Sequence, residues 1–191
     1  MKQLIFATNN AHKMSEVARI LDAQFKLISL KDIGFVGDIP ETMDTIEGNA
    51  LQKARFIWEK YGMDCVADDT GLEVNALNGA PGVYSARYAG ASCNAKNNIQ
   101  KLLKEMDGEL DRRAHFKTVA ALILDGKEYL FNGIIHGTIL THEKGDDGFG
   151  YDAVFQPLTY DLSFAQMTAD QKNSISHRAL AFHALADFLK H

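Results

Sequence analysis

With 191 residues, 46% of them hydrophobic and 24% charged, the chain can bury a sizeable core as one domain, or as one elongated domain with two lobes, and has a soluble globular composition. Its net charge of −5, without long basic tracts, argues against extended binding to a nucleic-acid polymer. No apolar run approaches a membrane span, and the N-terminal one is too short for a signal peptide. The widely spaced thiols Cys65 and Cys93 then point to the cytoplasm and form no metal or redox pattern.

Leu4 to Ala7 is a compact apolar run and predicts a strand, after which Met14, Val17, Ala18 and Leu21 recur at helical spacing. The polar residues Thr8, Asn9, Asn10, His12 and Lys13 therefore occupy a strand–helix junction, where α/β sheets usually bind ligands. Unpaired amides at a helix start favour anions, and the lysine suggests a phosphate; an ordinary polar turn is the alternative. Residues 25–30 predict a second strand and residues 31–45 a polar loop. Residues 46–62 predict a helix with an apolar stripe of Ile46, Ala50, Leu51, Ala54, Ile57 and Trp58, a capping box from Asp44 and Glu47, and Gly62 as its stop. Asn49 and Lys53, four apart, share one of its faces.

Residues 64–74 predict a short strand that meets Asp68 and Asp69, turns at Gly71 and resumes. Residues 75–90 read as a loop, and 94–106 as a helix carried by Ile99, Leu102, Leu103 and Met106. Residues 115–140 have β character, with Asp125-Gly126 as a hairpin turn. A glycine- and acid-rich loop leads to a short strand at 153–155 and a closing helix over 174–190 capped by Ser176. The sum is a mixed α/β protein, a long sheet with helices packed on it.

Three stretches carry chemistry. Adjacent strand residues point to opposite faces, so only one of Asp68 and Asp69 readily faces a site while the other supports the backbone or its neighbours. With Glu41 as a further carboxylate, such acids beside a phosphate are how Mg2+ is usually held; a surface acidic turn is the alternative. Gly148 and Gly150 flank Phe149, letting the backbone approach a flat ligand, and a ring stacked on a base contributes about 1–3 kcal/mol. Asp152 can accept from a ring N–H or support a turn, and a plain glycine-rich loop is the competing view. Lys172 precedes the closing helix, and His177 and Arg178 sit in its first turn, where each cation opposes the helix dipole by roughly 0.3–1 kcal/mol. An anion or a carbonyl-bearing base there accounts for that placement, and a solvated cationic patch is the alternative.

In chain order, TNNAHK, EGNALQKA, ADDTGL, GAPGVYSARYAG, GFGYD and KNSISHRA closely resemble the inosine triphosphate pyrophosphatase family, whose bacterial branch holds dITP/XTP pyrophosphatases, over Thr8 to Ala181. The resemblance implies a single domain over residues 1–191, a homodimer that hydrolyses deaminated purine triphosphates to a monophosphate and pyrophosphate with Mg2+. It implies an elongated two-lobed α/β fold with a central long mixed sheet and an active-site cleft between the lobes. By the same resemblance Thr8, Asn9, Asn10, Ala11, His12 and Lys13 hold the triphosphate, and Lys53 adds phosphate charge. Asp69 is catalytic base and metal ligand, with Glu41 as the second metal position. Thr70, Phe149, Gly150, Tyr151, Asp152, Lys172, His177 and Arg178 bind nucleotide, the last two near the base.

The chain departs from the family pattern at a few places. Thr70 stands where serine is commoner and keeps the hydroxyl, Ala153 replaces a frequent proline, and Asp146 and Asp147 add negative charge beside GFGYD. The septum-type Maf pyrophosphatases are the nearest rival, disfavoured by GFGYD and SHRA. A P-loop enzyme lacks its G-x-x-x-x-G-K-[ST] signature here, and a haloacid-dehalogenase-like phosphatase needs aspartates separated by one intervening residue, whereas Asp68 and Asp69 are adjacent. A nucleotide-sensing module would share the binding residues but lack metal-dependent turnover.

Overall fold

Strand β1 (Lys2–Phe6) feeds helix α1 (Ala11–Leu21), and β2 (Phe25–Ser29) returns parallel to β1, pairing Leu4 with Leu27. The computed structural model describes residues 2–21 and 25–190. Helix α2 (Ile46–Tyr61) leads into β3 (Cys65–Val74), which lies parallel to β1 on its other side. A two-residue β4 (Pro81–Gly82) pairs antiparallel with β3 and is followed by α3 (Ala95–Glu105). The long strands β5 (Arg113–Leu124) and β6 (Lys127–Ile139) form the predicted hairpin, with Asp125 and Gly126 both at positive φ. Then come β7 (Phe155–Pro157), α4 (Ala169–Ile175) and α5 (His177–Phe188). The sheet order is β2-β1-β3-β5-β6-β7, with β4 beside β3, so the mixed α/β sheet expected from the sequence is present.

The chain divides into two compact units. One comprises residues 1–69, 118–133 and 177–191, the other residues 70–117 and 134–176. In the first, α1 packs on α5, and Leu4, Phe6, Val66, Ala120 and Leu122 of the sheet meet Val17, Leu21, Phe182 and Leu185. Period-two alternation turns the neighbouring residues of β3 the other way, and Cys65 donates its S–H to the Ala54 carbonyl of α2. In the second unit Leu72, Val74, Phe116 and Phe155 form the core with Ile99, Leu102 and Phe164. Gly133 of β6 has no room for a side chain, because a Cβ there would overlap the His177 carbonyl and the Ala181 amide of α5.

Five local expectations are corrected. First, β3 runs unbroken through Asp68, Asp69 and Gly71, since apolar and bonded neighbours keep both aspartates in the ladder. Thr45, not the Asp44–Glu47 pair, caps α2, its hydroxyl accepting from the Gly48 amide, while Gly62 ends the helix at φ 62° as expected. The buried stripe of α2 is Ile46, Asn49, Ala50, Lys53, Ala54 and Ile57, a strict 3.6-residue repeat that includes two polar residues and leaves Trp58 37% exposed. The closing segment is two helices rather than one, with Ser176 extended between them, and residues 152–154 form a 3-10 turn so that β7 starts only at Phe155.

Candidate active site

Alternation along β3 decides the first site. Asp68 faces the α1 and α5 layer and Asp69 faces α2, so the adjacent acids serve different partners. Asp69 Oδ1 lies 3.2 Å from Lys53 Nζ, and the same ammonium lies 2.5 Å from Glu41 Oε1. Lys53 reaches inward because it sits on the buried stripe of α2. Glu41 is brought to it by a strap: the Thr42 amide donates to Gln52 Oε1 (2.8 Å), Gln52 donates back to the Thr42 hydroxyl, and the Met43 amide donates to Asn49 Oδ1 (2.9 Å). On the other face Asp68 accepts from Lys13 Nζ at 2.9 Å and from Arg178 Nε at 3.2 Å, and Glu16 of α1 meets Arg178 at 2.5 Å.

The electrostatics follow burial and neighbours. Burial works against ionisation of Asp68, but the Lys13 and Arg178 charges outweigh it and hold the carboxyl below the usual range. At Asp69 burial prevails over the Lys53 charge, and the carboxyl is raised. Burial also opposes the Lys53 ammonium, yet Asp69 and Glu41 keep it above its ordinary value; Lys13 is lowered by burial. Across these contacts three cations (Lys13, Lys53, Arg178) meet four carboxylates (Glu16, Glu41, Asp68, Asp69). A polyanion approaching such a set needs an added cation. Among the described residues no three acidic, His or Cys side chains gather as a ready-made metal cage. Glu41 and Asp69 nonetheless both reach the Lys53 ammonium with hard oxygen donors, the donor chemistry that fits Mg2+, an ion that takes one or two carboxylates and completes its shell with water and phosphate.

The predicted phosphate turn is organised around its own helix. Asn10 Oδ1 accepts from the His12 and Lys13 amides at 2.9 and 3.2 Å, so Asn10 caps α1, and the Thr8 hydroxyl accepts from the Asn10 amide. Asn9 leans toward the Gly37 carbonyl, and Ala11 opens the helix.

In the second unit Lys172 of α4 lies 2.8 Å from Asp152 and 4.7 Å from the centroid of the Phe149 ring. Asp152 also accepts from the Phe149 amide, and a Cβ on Gly148 would overlap its carboxylate, which is why that turn needs glycine. Tyr151 is buried, with its hydroxyl donated to the Ser85 carbonyl, and Gly150 holds the turn at positive φ. Thr70 is half-buried on β3, and His177 is buried in the first turn of α5.

Lys13 and Arg178 thus meet within one cluster, Glu41, Lys53 and Asp69 within another, and Phe149, Asp152 and Lys172 within a third. Sequence reasoning missed Glu16, Gln52, Phe164 and Ser85. Only Glu16 carried a local signal, three residues after Lys13 and so on the same face of α1.

The sequence profile of the Ham1 family matches residues 4–188. The dITP/XTP pyrophosphatase of Porphyromonas gingivalis is 53% identical over 190 residues, covering 99% of this chain and 98% of its own. That of Flavobacterium psychrophilum is 52% identical over 188 residues, covering 98% and 99%. A solved HAM1 protein of Coxiella burnetii superposes with a TM-score of 0.92 at 35% identity, over 100% of this chain and 99% of the other.

Proposed function

Because the chain belongs to the Ham1 family, we propose that it hydrolyses deaminated purine nucleoside triphosphates, dITP or ITP and XTP or dXTP, to the monophosphate and pyrophosphate, cleansing the nucleotide pool. Relatives that share half its residues bear that activity in their names. The observation that carries the chemistry is the bridge of Lys53 between Glu41 and Asp69.

In this scheme Glu41 and Asp69 hold Mg2+, which when bound neutralises part of the triphosphate charge. Asp69 takes a proton from a water as the water's oxygen bonds to the α-phosphorus, and the bond from that phosphorus to the bridging oxygen breaks to release pyrophosphate. Its carboxyl, raised by burial, is better matched to that task than an exposed aspartate. Lys13 and Lys53 hold the charge that develops on the departing pyrophosphate, with Thr8 to His12 lining the phosphate turn. Phe149 stacks on the base, and Thr70, Gly150, Tyr151, Asp152 and Lys172 complete the nucleotide site. Donors from His177 and Arg178 meet a 6-carbonyl, so inosine and xanthosine are accepted while the amino group of adenosine is mispaired. Residues 1–191 act as one catalytic domain in a cytoplasmic homodimer. No helix among the described residues is long and apolar enough to cross a membrane.

Phosphorus NMR of ITP hydrolysis with Mg2+ tests the bond that breaks. Inosine monophosphate and pyrophosphate are expected, with turnover lost on adding EDTA. Inosine diphosphate and orthophosphate would mean attack at the γ-phosphorus and another enzyme class, and tight binding with no turnover of any triphosphate would mark a sensing module.

A further inference from the structure

The cluster on the α1 and α5 face of β3 has more order than substrate contact requires. Lys13 and Glu16 lie on one face of α1 and carry opposite charge, so a single helix offers a cation to Asp68 and an anion to Arg178. Asp68 closes the ring by accepting from Lys13 (2.9 Å) and Arg178 (3.2 Å) together. The Asp68 side chain is wholly buried, that of Arg178 is 2% exposed, and those of Lys13 and Glu16 are 16% and 15% exposed. Burial strengthens each of these charge-assisted hydrogen bonds.

We propose that Asp68 and Glu16 are positioning residues that couple the phosphate grip to the choice of base, Asp68 by serving Lys13 and Arg178 at once and Glu16 by orienting Arg178. This rests on the functional reading above, in which Lys13 holds phosphate and the first turn of α5 reads the base. An arginine side chain is long and flexible, but its planar fork is fixed once carboxylates from two elements hold it. Here β3 and α1 supply them, so the guanidinium is aimed before any nucleotide arrives. When a triphosphate draws on the charge of Lys13, Asp68 is left to bind Arg178 more strongly. Occupancy of the phosphate end then stiffens the end that discriminates. Asp68 also immediately precedes Asp69, so the same strand position anchors the ring beside the base that activates water.

Two readouts separate the arms: the ratio of kcat/KM for ITP over ATP, and the affinity for inorganic tripolyphosphate by calorimetry, which needs no base and no turnover. Glu16→Gln is expected to lower the ratio about tenfold while tripolyphosphate affinity stays within about twofold, and Glu16→Asp to recover part of the ratio. Asp68→Asn is expected to change both readouts, each by about tenfold. An unchanged ratio in Glu16→Gln overturns the proposal, as does a parallel loss of both readouts in that variant, which is what a merely structural role would give. A change confined to one readout in Asp68→Asn overturns the shared role. If Asp68→Asn does not fold, Glu16→Gln alone decides. Wild-type protein that binds tripolyphosphate but turns over no ITP instead defeats the functional reading, before any variant is made.

Discussion

Lys53 and Lys172 are both helical lysines, 5% and 6% exposed, yet they are held in opposite ways. Lys53, in the first unit, bridges carboxylates from a loop and a strand, within a cluster where acids outnumber bases. Lys172, in the second, meets the Asp152 carboxylate and lies over the rings of Phe149 and Phe164. The first arrangement leaves negative charge for a further cation to satisfy. The second braces a flat aromatic surface. The difference teaches that burial of a lysine says little by itself, and that its partners decide whether it serves chemistry or shape.

The sharpest break in this comparison is Asp69→Asn. Losing the base alone should cost on the order of 10²–10⁴-fold in ITP turnover, with weakened metal binding added, while circular dichroism stays native. Retention of more than about a tenth of the wild-type rate would put the base elsewhere.

Lys172→Met attacks the bracing lysine and should register first in stability. It withdraws the ammonium from a buried carboxylate, a change that typically costs about 3–5 kcal/mol. For a chain of this size that lowers Tm by roughly 10 °C in a thermal scan. A Tm within about 2 °C of wild type would show that Asp152 is satisfied without it.

Phe149→Leu sharpens the contrast from the ligand side. Lost stacking should raise KM for ITP by about ten- to a hundredfold and leave tripolyphosphate affinity alone. Equal losses in both would move Phe149 to the phosphate end.

The smallest effect needs no substitution. Burial pushes the Cys65 thiol up to about 12, so raising the pH from neutrality through about 9 creates almost no thiolate there. Cys93 is exposed and Cys65 buried. A maleimide should therefore label one thiol in the folded protein and a second only in denaturant. Labelling of Cys65 under native conditions would mean that the first unit opens around α2 far more readily than its packing suggests.

Much of this was legible in the sequence because periodicity is local. The 3.6-residue repeat located α2 and put Asn49 and Lys53 on one face, and the period-two rule divided Asp68 from Asp69. Asp125-Gly126 announced the β5–β6 hairpin. What stayed hidden depends on distant partners. Gly71 looked like a turn because glycine permits one, but pairing of β3 with its neighbours overrides that freedom. Asn10 entered with the phosphate turn, and that its side-chain oxygen also caps α1 depends on a backbone geometry the residue order does not spell out. Tyr151 entered with a nucleotide motif, yet its hydroxyl goes to Ser85, 66 residues away in the chain, a pairing no local pattern encodes.

Gly133 has a consequence for heredity and engineering. Strand β6 and helix α5 are seated backbone on backbone there, like two machined faces with no shim, so repacking of side chains cannot take up slack. A single methyl at that position would lift the first turn of α5, and with it Arg178, away from Asp68 and Glu16. Displacements of about 1 Å can cost on the order of 10²-fold in rate. Variation at a residue with no charge, no hydrogen-bonding side chain and no contact with substrate would then blunt the enzyme's fidelity, and a survey of variants confined to the acids and bases would overlook it.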